Sequence, residues 1–176
     1  MSAVMELMVA LRASLHPVLA TLPLPVRNRE TDGRPVPLPD GAQAMPEQTR
    51  PARIFIGSLP PTVSDALGHA PFVVLQPLSG EDGDGLHRLR LALRVCVAAG
   101  TFDDAEDAET DVHNLISLLR RHLLSLPDGL LSPRFRIVRS GSDLLPWTRP
   151  DEQFPPFLQA HVLSSWELQG VSHVAV

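Results

Sequence analysis

The sequence predicts an α+β fold, in which helices pack on one face of a mostly antiparallel sheet. Its main support is the stretch from Leu86 to Leu124, where a strand pattern is followed directly by a helix pattern. Apolar residues take every second position from Leu89 to Val97, which is the period of a strand with one buried face. After Gly100 they recur at helical spacing, which indicates an amphipathic helix from about Asp104 to Leu124. We expect this strand to be central and the helix to cover its apolar face, with Leu119 buried.

The charges of this helix match its dipole. Acidic residues crowd its start, in a run from Asp103 to Asp111, and Arg120, Arg121 and His122 lie near its end. Acids at a helix N-terminus and bases at the C-terminus are both favourable. The run also suggests a cation-binding cluster, but the dipole is the simpler explanation.

The chain length suits one domain, and 44% hydrophobic residues exclude wholesale disorder. Residues 1–22 are predicted to hold a helix from about Ala3 to His16, where Pro17 interferes. Residues 23–51 are rich in Pro, Gly and Asp, which indicates a long arm or mobile loop, either a linker or an interaction arm. Residues 52–170 form the α+β core, and residues 171–176 are a frayed tail.

Further strands follow from short apolar runs and from alternation. Arg53 to Ser58 and Phe72 to Gln76 are predicted strands, each ended by proline. Arg134 to Arg139 alternates apolar and basic residues and predicts another strand. The pattern from Phe157 to Leu168 predicts a long last strand.

The segment from Gly80 to Gly85 turns the chain into the long strand. Asp82 and Asp84 before a glycine suggest a calcium loop, but Leu86 and Leu93 occupy positions where such a loop needs oxygen ligands. A hairpin turn is the favoured interpretation.

Composition limits the function classes. The chain has 15 basic and 20 acidic residues, a formal charge of -5, which argues against a protein that binds nucleic acid mainly through phosphates. The N-terminus lacks the basic and continuously apolar regions of a signal peptide or membrane span. The single cysteine, Cys96, allows no internal disulfide and is expected to be a small core residue. We therefore expect neither sequence-specific nucleic acid nor a membrane among the partners.

No catalytic pattern is present. The seven histidines do not have zinc-site spacing, and the sequence contains neither a Gly-rich phosphate loop nor a nucleophile elbow. We expect no catalysis, no cofactor and no metal. One alternative is a small α+β hydrolase-like enzyme that uses His87 or His161 with a carboxylate. Another is a cytosolic adaptor that binds through the Pro-rich segment.

Arginines mark a candidate interface. Arg88, Arg90 and Arg94 lie on the strand face opposite the Leu/Val stripe, and Arg134 and Arg136 alternate in the same way on another strand. If those strands pair with arginines on one side, a positive sheet face results, which is either solvated or a subunit contact. A ring of identical subunits would bring this patch against an acidic patch elsewhere on the chain. The acidic candidates are the turn residues Glu81, Asp82 and Asp84 and the run from Asp103 to Asp111, which includes Asp104 and Asp107.

The order of elements resembles the tail terminator and tail-completion proteins, a minor tail protein family of long-tailed bacteriophages. The residues that carry the resemblance are Arg53 to Pro60, Pro71 to Pro77, the unit from Leu89 to Leu124, and Pro155 to Phe157 leading to Trp166. The segment from Pro23 to Pro51 has no counterpart in this layout.

The resemblance implies a structural virion protein with an α+β fold. It implies a homo-oligomeric ring, commonly a hexamer, that ends tail-tube growth and joins the tail to the head connector. The implied partners are further copies of the chain, the tail-tube protein and the head-completion protein. Such a protein is assembled in the host bacterial cytoplasm and resides in the virion tail.

Overall fold

The computed structural model describes residues 2–27, 49–58, 70–83, 86–99, 105–139, 141–153 and 157–169, with positions 82, 83, 86 and 169 described by their backbone alone. These residues confirm the α+β prediction. The helices are α1 (Ala3–Leu19) and α2 (Ala105–Leu124). The strands are β1 (Leu24–Pro25), β2 (Thr49–Arg50), β3 (Arg53–Ile56), β4 (Phe72–Gly83), β5 (Leu86–Ala98), β6 (Leu130–Ser132), β7 (Phe135–Val138), β8 (Trp147–Thr148) and β9 (Phe157–Gln169).

The main sheet has the order β3-β4-β5-β9-β7-β6, and β8 also pairs with β9. All of its neighbours are antiparallel except β3 and β4. The strand β5 lies between β4 and β9 and pairs with β9 along its whole length, from Leu86 opposite Gln169 to Ala98 opposite Phe157. The prediction of a central strand here is therefore confirmed.

Both helices contribute to the core on one face of this sheet. The odd-numbered residues of β5 from Leu89 to Val97 join a core with the apolar stripes of α1 and α2. Leu119 of α2 is 0% exposed, as predicted. The remaining core side chains include Leu7, Leu11, Leu15, Leu115, Leu123, Ala160, Val162, Trp166 and Leu168.

The helix α1 continues past the proline that was expected to end it. Ser2 is its N-cap, and the hydroxyl accepts a hydrogen bond from the Met5 N–H. Pro17 lies inside the helix, which ends at Leu19. Because Pro17 is in the last turn and exposed, its missing N–H removes only one helical hydrogen bond and its ring faces solvent.

The strand β4 is longer than predicted. Pro77 was expected to end it, but the strand continues to Gly83 through an irregularity between Pro77 and Ser79. A bulge at this point accommodates the missing N–H of proline without ending the strand. The hairpin prediction is consistent with the last registered pair, Gly83 opposite Leu86.

The described ends of the segment 23–51 are held close together. β1 pairs with β2, Leu24 is buried in the core, and Arg27 Nη1 lies 2.7 Å from Asp111 Oδ2 of α2. The segment therefore leaves the described core and returns to it at one place. The arm or loop predicted for residues 23–51, with its predicted mobility, falls largely on residues 28–48, which lie outside the described residues, as does the tail at 171–176.

Candidate interaction surface on the open face of the sheet

The sheet face opposite the helices, here called the open face, carries the predicted arginines of β5. Leu89, Leu91 and Leu93 point into the core, so the alternate residues Arg88 and Arg90 are turned the other way and are exposed. Arg94 is on the same side and half-buried. The predicted placement of the three arginines is confirmed.

One end of the open face is apolar. Phe72, Val74 and Cys96 are buried there, with Ala70, Ala98, Phe55 and Phe157 packed around them. A depression of about 280 Å³ adjoins this cluster. Burial raises the pKa of the Cys96 thiol to about 12, an effect that outweighs the opposing charge of Arg94. The thiol is therefore protonated at neutral pH, and Cys96 is the core residue that was predicted.

Arg94 lies in the middle of the face and is held by an amide. Its Nε and Nη2 donate to Gln159 Oε1 at 2.8 and 2.5 Å. Gln153 Oε1 in turn accepts from the Gln159 N–H at 2.8 Å. Arg94 is thus bound within the chain, next to the apolar cluster.

The other end of the open face carries four charges in a single row across the sheet. Glu81 of β4 is opposite Arg88 of β5, Arg88 is opposite Glu167 of β9, and Glu167 is opposite Arg136 of β7. Arg88 Nε lies 3.0 Å from Glu167 Oε1. We call these four residues the charge row. Acids and bases alternate along it, so this row is not the positive sheet face that the arginines predicted.

A second row lies beside the charge row. Ser79, Arg90, Ser165 and Val138 are opposite one another on the same four strands. They line a shallow depression of about 180 Å³ together with residues of the charge row. Within the described part of the chain, Arg90 makes no hydrogen bond or ion pair, and it is the arginine of β5 left available to a partner.

Arg134 does not share this face. The turn before β7 contains Arg134, whose Nη1 lies 2.5 Å from Glu6 Oε2 of α1. Because the residue precedes the regular strand, strand alternation does not determine its direction. The expectation that Arg134 and Arg136 form one patch is therefore wrong.

The structure describes only some of the acidic residues that were predicted to contact the arginines. Asp84, Asp103 and Asp104 lie outside the described residues, and Asp82 is described by its backbone alone. Asp107 is exposed on the first turn of α2. Elsewhere in the run, internal contacts bind Glu109 to Arg149 and Asp111 to Arg27.

The hydrolase alternative requires a carboxylate beside His87 or His161. His161 lies opposite Arg94 on the open face. The pKa of His161 is lowered mainly by burial and to a smaller extent by the positive charge of Arg94. Among the described residues no carboxylate bonds to His161. His87 is opposite Asp82, whose side chain is not described. No three potential metal-ligating side chains converge within the described ranges.

A serine–histidine contact was missed by the sequence analysis. Ser14 Oγ of α1 and His122 Nε2 of α2 are 2.7 Å apart, and burial lowers the pKa of His122. In the described part of the chain no carboxylate contacts His122, so the pair lacks the third group of a hydrolytic triad. It is a hydrogen bond between the two helices. The residues are 108 positions apart, and only helix packing brings them together.

Among the described residues, the part of β4 that extends beyond β3 is an edge poorly suited to pairing with another strand. β3 covers β4 only from Phe72 to Leu75. Along the rest, the edge carries Pro77, an irregular register and the acidic Glu81. Proline, bulges and charges are the features by which proteins block edge-to-edge pairing. The open face is therefore the stronger candidate for protein contact.

In the described residues, neither helix is long and apolar enough to cross a membrane. Comparison with protein-family models and with curated proteins gives no match to this chain.

Proposed function

We propose that the chain is a structural protein of a phage tail, of the tail-terminator or tail-completion kind, and that it acts as a homo-oligomeric ring. The observation that carries the proposal is the open face, where exposed charges of both signs lie on a sheet whose other face is covered by helices. The extended pairing of β5 and β9 holds these side chains at fixed spacing. Such a surface favours contact with a protein surface of matching charge order.

The fold supports contact through faces rather than through edges. The β4 edge carries Pro77 and Glu81, and the opposite edge strand, β6, has only three residues with an irregular pairing to β7. A second copy that added a strand at either edge would find few regular backbone partners. The faces of the sheet and helix layers remain for subunit contact.

The resemblance supplies the biological setting of the proposal. The ring ends growth of the tail tube and joins the tail to the head connector, and its partners are the tail-tube and head-completion proteins. The protein is assembled in the host cytoplasm and remains in the virion tail. No catalytic step, cofactor or metal is part of this function.

The mass of the protein in solution tests the proposal. We expect native mass spectrometry and analytical ultracentrifugation of the full chain to give an assembly several times the 19.2 kDa subunit, and electron microscopy to show closed rings. A chain that stays at 19.2 kDa at all concentrations contradicts the ring and favours the adaptor or hydrolase alternatives.

The proposed position of the protein at the head-proximal end of a phage tail has a separate test. Antibodies against the chain should label purified virions of the phage that carries the gene at the head-proximal end of the tail. Label on the capsid, or only on the distal end of the tail, contradicts a terminator role even where rings are found.

A further inference from the structure

Arg94 carries a positive charge that no acid neutralises within the described part of the chain. It lines the depression of about 280 Å³ at the apolar end of the open face, and the other described residues of that lining are uncharged. Its bonds go to Gln159 Oε1, which is a neutral acceptor. The adjacent Cys96 is a protonated thiol, because burial raises its pKa to about 12. A half-buried guanidinium beside apolar side chains gains from an acid that pairs with it. We call this site the Arg94 depression.

Two acids on another surface of the subunit also lack a partner. Glu106 and Asp107 lie in the first turn of α2, and both are exposed. Neither side chain makes a hydrogen bond or ion pair within the described residues. The helix dipole contributes only about half a positive charge at this end, so the turn remains negative. We call these two residues the acidic turn.

The Arg94 depression and the acidic turn lie at the same end of the strands but on opposite layers. β5 ends at Ala98, which belongs to the apolar cluster, and α2 begins at Ala105. α2 packs on the core face through side chains such as Leu119, and it leads to β7 at the other end of the sheet, where Phe135 is opposite Leu168. The depression therefore opens on the sheet side of the subunit, and the turn lies on its helix side.

We infer that the acidic turn of one subunit binds at the Arg94 depression of the next, with Glu106 and Asp107 beside the Arg94 guanidinium. The helix layer of each subunit then lies on the open face of its neighbour. A second copy is the occupant because its exposed acids complement the charge in the depression. The inference rests on the proposed ring and deepens it, since it names the two surfaces that meet.

This contact joins two different surfaces, so it is heterologous. Each subunit turns its open face to one neighbour and its helix layer to the other, which leaves the two rims of a closed ring unlike. The proposed ring needs this difference because the tail tube and the head connector bind at opposite rims. The two surfaces lie at one end of the strands, so subunits rotated about an axis along the strands need little shift along that axis. Such an arrangement favours a closed ring over a helical filament.

The other arginines on this face of β5 are less suited to the acidic turn. Arg88 is bonded to Glu167, and both Glu81 and Glu167 line the depression beside Arg90. An incoming acid would meet two carboxylates there, whereas the lining of the Arg94 depression contains none among the described residues. Repulsion at the first site therefore directs the acidic turn to the second.

The ion pairs fix the position of the contact, while apolar side chains supply much of its affinity. Exposed ion pairs individually contribute little. Met5 and Val9 are exposed on α1, in the same layer as α2, and Leu163 is half-buried on the open face. These side chains add apolar surface to the two layers that meet.

Charge reversal on either surface tests the inference. Glu106→Arg/Asp107→Arg and Arg94→Glu each bring like charges together at every subunit contact. We expect each variant to associate about tenfold more weakly than wild type at low salt, and high salt should reduce the difference. Sedimentation and native mass spectrometry measure the assembly. Asp143→Arg is the matched control, because it reverses an exposed acid between β7 and β8 and should leave assembly unchanged.

Mixing the two variants gives the decisive observation. When they alternate around a ring, the introduced arginines meet the introduced glutamate, and the unchanged acidic turn meets the unchanged Arg94. We expect an equal mixture to recover assembly, although each variant alone does not. Native mass spectrometry should find equal numbers of the two chains in each recovered ring.

Two further variants guard against misfolding as an explanation. A chain with all three substitutions has complementary surfaces again and should assemble like wild type. Arg94→Gln removes the charge without reversing it and should weaken association in the same direction but by less. Thermal unfolding at low chain concentration checks the subunit. Where Arg94→Glu is unstable, Arg94→Gln takes its place, and wild-type assembly of that variant overturns the contact.

The outcomes separate this contact from the proposed function. Reversal variants that assemble like wild type, or a mixture of stable variants that does not recover, overturn the contact while leaving a wild-type ring and the proposed function intact. A monomeric wild type overturns the proposed function itself.

Discussion

The two faces of the central sheet differ in how their chemistry arises. On the covered face, Leu91, Leu93 and Val95 of β5 are 0% exposed in one apolar layer beneath the helices. On the open face, the same strand changes from the buried Cys96 at one end to the exposed Arg88 at the other. A covering helix requires only apolar neighbours, whereas the open face takes its character from residues that four strands bring together. The alternation of apolar residues in one strand therefore predicts the covered face, whereas the open face can be predicted only when the register between strands is known.

The largest effect should come from the covered face. Leu119→Ala removes a fully buried side chain and should lower the free energy of unfolding by about 2 to 5 kcal/mol. Urea denaturation measures the change. Leu124→Ala on the same helix is the matched control, since Leu124 is 49% exposed and should change stability by less than about 0.5 kcal/mol. Equal losses in the two variants would mean that the helix does not cover the sheet in this way.

A smaller effect on stability should come from the ion pair between Arg27, which follows β1, and Asp111 of α2. The side chains of Arg27 and Asp111 are only 8% and 14% exposed, so Arg27→Ala leaves a nearly buried carboxylate without its partner. We expect a loss of about 1 to 3 kcal/mol and faster proteolysis within residues 23–51. The exposed Arg12 of α1 supplies the control, Arg12→Ala. Wild-type stability and wild-type proteolysis in the Arg27 variant would show that the pairing of β1 with β2 is enough to fix the ends of the segment 23–51 without the ion pair.

Acidification should weaken the fold through histidines on both sides of the sheet. Burial lowers the pKa of His122 in the helix layer, and burial with Arg94 lowers the pKa of His161 on the open face. The unfolded chain therefore takes up these protons at a higher pH than the folded chain. Stability is full above the unfolded pKa of about 6.5 and is lost as the pH falls below it towards the folded pKa values.

Thermal unfolding between neutral and mildly acidic pH measures this loss. His122→Gln and His161→Gln should each flatten the pH dependence. A pH dependence that survives in both variants would assign the effect to other groups.

The limits of sequence reasoning follow the same division between the two faces. The Leu89 to Val97 alternation predicted the central strand because burial on one side imposes a two-residue period. The four consecutive apolar residues from Phe72 to Leu75 were read as a strand, but their burial on both faces shows only in the structure. Glu81 and Glu167 are 86 residues apart, and no local pattern indicates that both flank Arg88. Register between distant strands was the missing information.

Local backbone features account for the other errors. Pro17 and Pro77 were both expected to end their elements, but each can be accommodated where it costs a single backbone hydrogen bond, in a last helical turn or at a bulge. Arg134 was assigned to a strand face by alternation, although the turn before β7 directs it to Glu6.

The smallest expected effect concerns the charge row in the isolated subunit. Arg88 and Glu167 form an ion pair, but the Arg88 side chain is 63% exposed and that of Glu167 is 24% exposed. Water screens such a pair, and ordering a long arginine side chain offsets part of the attraction. A double-mutant cycle with Arg88→Ala and Glu167→Ala should therefore give a coupling of about 0 to 1 kcal/mol in the free energy of unfolding.

The cycle is informative when folding and assembly are measured on the same variants. If the open face is an interaction surface, the two substitutions should change subunit association and its salt dependence while leaving unfolding nearly unaltered. The denaturation experiments should be made at low chain concentration, where assembly does not contribute to stability. A coupling well above 1 kcal/mol in unfolding, with no change in association, would make the charge row a folding element. The difference between the two faces would then lie only in polarity, because both would serve to stabilise the subunit.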